Sequence, residues 1–157
     1  YPCLDAGPED MMCNLKLVPF RGVNCSDAAG SEVAFMHIMN LLDKGVCPPS
    51  IKGTCRVTRA LSWDNSTSSP YFNFVADFQV YQVWFDNAAS SALKYLAARH
   101  LGIRGVGPFT WSDIDSDGTI TDNPWAPAEA RSMWEALDTF KTQDGEMIRR
   151  QSTLTFV

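Results

Sequence analysis

The order of elements predicts an α+β fold: an antiparallel sheet of four or five strands with two or three helices packed on one face, a ferredoxin-like plan. Phe35, Ile38, Met39 and Leu42 recur at helical spacing and make one apolar stripe. Phe72, Phe74, Ala76, Phe78 and Val80 alternate with Asn73, Val75, Asp77, Gln79 and Tyr81, the period-two pattern of a half-buried strand. The alanine-rich run from Ala88 to Leu101, with Asp86 or Asn87 before it and Gly102 after it, has the caps of another helix.

Each element can be justified in chain order. A short strand is expected over Asn14 to Val18, bounded by Pro19. The first helix follows, with Asp27 or Ser31 as N-cap and Gly45 beyond its end, and Pro48-Pro49 blocks its continuation. A strand is expected from about Thr54 to Trp63, then a turn-rich loop from Asp64 to Pro70, then one long strand from Tyr71 to Phe85 paired back through that loop. After the alanine-rich helix, Gly102 to Thr110 must be loop, and the β-branched run Thr119-Ile120-Thr121 suggests a short strand. A third helix is expected to start at Pro127, to turn Met133, Trp134, Leu137 and Phe140 inward, and to stop near Gly145. Arg150 to Val157 alternates as a final strand.

Length and composition narrow the class. The chain has 157 residues, one domain by size, and its 45% hydrophobic and 20% charged residues fit a folded core. Thirteen basic against eighteen acidic residues leave a net charge of −5, the wrong sign for a nucleic-acid binder. No apolar run approaches the roughly 20 residues of a membrane helix.

All five cysteines, Cys3, Cys13, Cys25, Cys47 and Cys55, fall in the first 55 positions, and none forms a C-x-x-C pair. Zinc needs closely spaced ligands, so disulfides are the expected use and an oxidising, extracellular compartment the expected setting. Connectivity cannot be derived, and an odd count leaves one thiol over. We expect Cys25 and Cys47 to flank the first helix and tie its ends to neighbouring strands. Asn24-Cys25-Ser26 and Asn65-Ser66-Thr67 are N-glycosylation sequons, the second in a loop and the first compromised if Cys25 is bridged. The start at Tyr1, without Met, reads as a mature chain after removal of a signal peptide.

The sharpest local pattern is Asp113-Ile114-Asp115-Ser116-Asp117-Gly118, the first half of a calcium loop. Asp113, Asp115 and Asp117 are hard-oxygen ligands at alternate positions, but position 12 is Pro124 rather than a bidentate Glu. The competing reading is a tight turn at Asp117-Gly118. No cofactor is indicated. His37 and His100 lie outside any nucleophile motif, and no acidic pair stands out by spacing for glycoside hydrolysis. Arg56 and Arg59 on one strand, Arg99 and Arg104 near a helix end, and Arg149 and Arg150 offer a small positive patch for an acidic partner. Tyr81, Trp111 and Trp125 are candidate interface anchors.

A bridged N-terminal part, no active-site motif and a small α+β domain together resemble the secreted effector proteins of plant-pathogenic fungi. Two groups there are similar in plan: the LARS effectors, an antiparallel sheet with helices against it, and the killer-toxin-like ferredoxin fold. Cys55-Arg56-Val57-Thr58-Arg59 loosely echoes a basic strand, and the resemblance is one of architecture. It implies a secreted, non-enzymatic avirulence or virulence protein that binds a host protein or immune receptor. The alternatives are a small secreted enzyme or ligand carrier with a pocket between sheet and helices, and a calcium-stabilised extracellular module.

Overall fold

In the computed structural model, which describes residues 1–7, 10 and 12–141, the fold is α+β. Strands β1 (Leu17–Phe20) and β2 (Val23–Ala28) form one antiparallel pair. Strands β3 (Cys55–Asp64), β4 (Ser69–Ala76) and β5 (Gln79–Trp84) form a sheet in the order β3-β4-β5. The helices are α1 (Phe35–Lys44), α2 (Ala88–His100), α3 (Ala126–Glu135) and the short α4 (Asp138–Lys141). The strands are thus divided between a three-stranded sheet and a separate hairpin rather than joined in one sheet.

The chain gathers into two compact units: one comprises Tyr1–Trp63 and Tyr71–Phe85, the other Asp64–Pro70 and the chain from Asp86 onward. In the first unit, Ile38 and Leu41 of α1 bury against Phe72, Phe74 and Ala76 of β4 and against Cys55. Leu42, Val57, Leu61, Tyr81, Val83 and Phe85 close the margins of this core. Phe72 meets Phe85 edge-on with ring centroids 6.1 Å apart, and Phe74 stacks on Tyr81 at 5.0 Å. Burying side chains of this size stabilises by roughly 1.5–3 kcal/mol each, and this is the main term holding the unit.

Gly45 ends α1 in the left-handed region, φ 67°, and its N–H returns to the Leu41 carbonyl, as the sequence suggests. The start of α1 differs. Its N-cap is Ala34, with no side-chain hydrogen bond; Asp27 lies in β2, and Ser31 precedes the cap and does not serve as one. The first strand also differs: it includes Pro19, and its register to β2 shifts between Val18 and Phe20. Proline has no N–H to give a ladder, so an irregular pairing tolerates it. The partner strand β2, Val-Asn-Cys-Ser-Asp-Ala, has too few apolar residues to announce itself.

The expected strand from Tyr71 to Phe85 is a hairpin. It breaks at Asp77 and Phe78, both at positive φ, 47° and 68°. Register then pairs Ala76 with Gln79, Phe74 with Tyr81 and Phe72 with Val83 on one face. Tyr71 with Trp84 and Asn73 with Gln82 share the other. Phe78 is therefore at the turn, fully exposed, and not on the phenylalanine face. The free edge of β5 is met by the N-terminal segment: Cys3 N–H donates to the Val80 carbonyl, and Gln82 N–H to that of Tyr1.

In the second unit, α2 begins with a complete capping box. Ser90 N–H donates to Asn87 Oδ1 at 3.0 Å, and Asn87 N–H donates to Ser90 Oγ at 2.9 Å. Ser90, Ser91 and Ala92 of α2 and Ala126, Ala130 and Met133 of α3 are buried, and the small serines and alanines among them let helix backbones approach closely. The Thr139 hydroxyl of α4 reaches the Ala92 carbonyl at 3.2 Å. The expected single third helix is interrupted between Glu135 and Asp138. Trp134, expected inward, is 55% exposed and meets Trp111 edge-on at 4.6 Å. Thr119-Ile120-Thr121 is turn rather than strand, because Asp117 takes the Thr119 N–H and Asp115 those of Ile120 and Thr121 before a ladder can. The final strand expected from Arg150 to Val157, and the stop near Gly145, lie outside the described residues.

Candidate functional site: a buried amide and aromatic ladder

On the face of the β4–β5 hairpin opposite the phenylalanine core, four polar and aromatic side chains form a connected set. Tyr71, Asn73 and Gln82 are 1%, 0% and 2% exposed, and Trp84 is half-buried. The Asn73 amide donates to the Asp10 carbonyl at 2.5 Å. Its Oδ1 accepts from Gln82 Nε2 at 2.9 Å, and Gln82 Oε1 accepts from the Trp84 indole N–H at 3.0 Å. Trp84 stacks on Tyr71, with centroids 4.6 Å apart and an 18° tilt.

Burying two primary amides costs free energy unless each finds partners, and here the amides satisfy one another in series. The result is a half-buried Trp84 ring whose orientation is set by its bond to Gln82 and its stacking on the buried Tyr71. Partly exposed aromatic rings suit ligands with apolar C–H faces and a few hydrogen-bonding groups. Sequence reading assigned Asn73 to the polar side of a strand and left Gln82 and Trp84 unassigned. The recoverable signal was the pair of patterns Tyr-x-Asn and Gln-x-Trp, which face each other only once the turn at Asp77–Phe78 is placed.

The carboxylates with strong surroundings serve turns and caps. Asp115 is 2% exposed; Thr121 donates to it from both its hydroxyl, at 2.6 Å, and its N–H, at 2.9 Å, and Ile120 N–H at 3.3 Å. Burial opposes ionisation of Asp115, but these bonds and one from the Gly118 N–H outweigh it and hold the carboxyl below its ordinary value. Asp117 Oδ1 accepts from the Thr119 N–H and hydroxyl, and Asp113 ends a 3-10 turn, Trp111–Asp113. Gly118 stands at φ 78°, where a Cβ would come within 2.7 Å of the Asn123 carbonyl. The Asp113, Asp115 and Asp117 segment is thus organised by backbone donors. Among the described residues no group of three or more His, Cys, Asp or Glu side chains is arranged to hold a metal ion.

Asp86 accepts from Ser90 Oγ at 2.8 Å and pairs with Lys94 at 2.5 Å. Lys94 also reaches Ser69 Oγ at 2.9 Å. Glu129, in the first turn of α3, differs from these: burial alone raises its pKa.

Disulfides join Cys3 to Cys13 and Cys47 to Cys55, and Cys25 lies on β2. The segment after α1 is therefore tied to the start of β3 through Cys47, as expected for the end of that helix. Bridged cysteines indicate an oxidising compartment. His37 sits within α1 and His100 ends α2, next to Arg99 in its last turn. Arg56 and Arg59 lie on β3; Arg149 and Arg150 lie outside the described residues. Tyr81 packs at the core margin, and Trp125 stands at the N-cap position of α3 without a side-chain capping bond. No helix among the described residues is long and apolar enough to cross a membrane.

No protein-family profile matches the chain, and no solved structure matches it. Curated proteins do. The chain resembles di-N-acetylchitobiases. It is 36% identical over 141 residues to a probable di-N-acetylchitobiase 2 of Dictyostelium discoideum, covering 88% of this chain and 32% of that protein. It is 33% identical over 138 residues to the di-N-acetylchitobiases of Rattus norvegicus and Homo sapiens, covering 87% of this chain and 33% and 31% of theirs. The chain thus spans about a third of the length of the di-N-acetylchitobiases it matches.

This likeness overturns the expected kinship with fungal effectors of the LARS or killer-toxin-like kind, and with it the non-enzymatic avirulence or virulence role and the host receptor as partner. The effector resemblance rested on a small bridged α+β plan, which unrelated chains share, whereas this one runs residue by residue along most of the chain.

Proposed function

We propose that the chain forms part of a glycosidase acting on di-N-acetylchitobiose or a closely related N-acetylglucosamine disaccharide. The observation that carries this is the 36% identity over 88% of the chain to a protein named for that activity. The Tyr71–Asn73–Gln82–Trp84 ladder supports it. The half-buried Trp84 ring offers a face for the C–H side of a sugar, and Tyr71 and Gln82 hold that ring in one orientation. The ladder positions a substrate-facing aromatic and takes no part in bond cleavage. Glycoside hydrolysis uses two carboxyl groups, one of them an acid with a raised pKa. Among the carboxylates described, Asp64 and Asp115 accept hydrogen bonds that hold turns, and Asp86 pairs with Lys94. The compartment in this reading is the lysosome or the extracellular space, where disulfides persist.

The test is hydrolysis of a fluorogenic chitobioside by the intact protein, with Trp84→Ala and Gln82→Ala beside it. Release of the fluorophore by the wild type is expected, with a higher KM for Trp84→Ala. A folded wild type that neither cleaves the chitobioside nor changes its tryptophan emission on adding di-N-acetylchitobiose would reject the proposal.

A further inference from the structure

We propose that Asn65 carries an N-linked oligosaccharide. Asn65-Ser66-Thr67 is a complete sequon, and it occupies the turn between β3, which ends at Asp64, and β4, which begins at Ser69. Asn65, Ser66 and Thr67 are all exposed.

The division of labour within this turn separates a modifiable asparagine from a structural one. Asn and Asp side chains commonly hold turns together by accepting from backbone N–H groups a few residues on. Here Asp64 does that work. Its Oδ2 accepts from the Ser66 hydroxyl at 2.6 Å, the Thr67 N–H at 2.9 Å and the Thr67 hydroxyl at 2.7 Å. At the far end, Ser69 is buried and held by Lys94. The Asn65 side chain makes no hydrogen bond among the described residues, so the fold does not require its amide. The other sequon is placed differently: Asn24 lies within β2, and its middle residue is Cys25.

The disulfides supply the compartment, since the oxidising lumen in which they form also holds the lipid-linked oligosaccharide diphosphates that serve as donors. In the transfer, a bond forms between Asn65 Nδ2 and the sugar C1 as the C1–O bond to the diphosphate breaks. The lipid diphosphate leaves with the electron pair, and the amide nitrogen gives up one proton to a base of the transferase. The product is neutral at Asn65.

The experiment is peptide mapping of the protein secreted by a glycosylating eukaryotic host, before and after an amidase that releases N-glycans and leaves aspartate behind. Aspartate at position 65 is expected only after enzyme treatment. Thr67→Ser keeps both the sequon and the hydroxyl that bonds Asp64, and should be modified like the wild type. Asn65→Gln keeps an amide and should lack one glycan's mass. Recovery of the wild-type peptide with unmodified Asn65 before enzyme treatment would overturn the proposal. That map decides the matter alone if Asn65→Gln is not secreted. The outcome is independent of whether the protein cleaves a chitobioside.

Discussion

The indole N–H of Trp84 donates to Gln82 Oε1 at 3.0 Å, two residues back along the same strand and on the same face. Gln82 in turn donates to Asn73 on the neighbouring strand at 2.9 Å, so one buried glutamine links an aromatic ring to the strand beside it. Replacing Gln82 by Ala leaves Asn73 Oδ1 without this donor and the Trp84 N–H without this acceptor. We expect a loss of about 1–3 kcal/mol in chemical denaturation. In a double-mutant cycle with Asn73→Ala, the two losses should fall short of additive by more than about 0.5 kcal/mol. Strict additivity would show that the two amides do not act as a pair.

Phe78 sits at φ 68° with a fully exposed side chain, so it bears the left-handed conformation without packing to offset it. Phe78→Gly should stabilise the protein by about 1 kcal/mol, read as a higher denaturation midpoint. A lower midpoint would mean that Phe78 makes contacts absent from this structure.

Asp115 is depressed in the folded state, so its stabilising contribution is full above the unfolded value and is lost as pH falls toward and through the folded value. Asp115→Ala should cost about 1–3 kcal/mol at neutral pH, since two N–H groups and a hydroxyl lose their acceptor. The gap between wild type and variant should narrow as the medium becomes strongly acidic. A gap that stays constant with pH would separate the residue's role from its charge.

Glu129 has the opposite sign. Burial raises its pKa, so ionising it opposes folding; stability is fullest below the unfolded value and falls as pH rises through the folded one. Glu129→Gln should raise the melting temperature at neutral pH and have less effect in mild acid. A variant that melts lower at neutral pH would point to a favourable partner for the carboxylate.

Much of this could be foreseen from residue order. The helical stripe around Ile38, the Gly45 stop and the cap at Asn87 each depend on near neighbours, and each appears where the pattern puts it. The hairpin within Tyr71 to Phe85 was hidden because its turn is Asp-Phe, with no glycine to mark two positive φ values, while the period-two alternation runs straight through it. The ladder was hidden for the same reason, since Asn73 and Gln82 become neighbours only after the chain reverses. Asp113 to Gly118 resembles an ion loop in spacing, and only the positions of Thr121 and Ile120 reveal what its central carboxylate binds.

The two faces of the β4–β5 hairpin differ in kind: rings against α1 on one side, amides and stacked aromatics on the other. A slip of one residue along this pairing would drive Asn73 and Gln82 among the phenylalanines and push Phe72 and Phe74 against polar groups. Neither misplacement could be tolerated, because buried amides without partners and rings without a core are both penalised. The amide pair therefore works as a key that admits a single alignment of the strands, and sharpens a turn whose own residues specify it poorly.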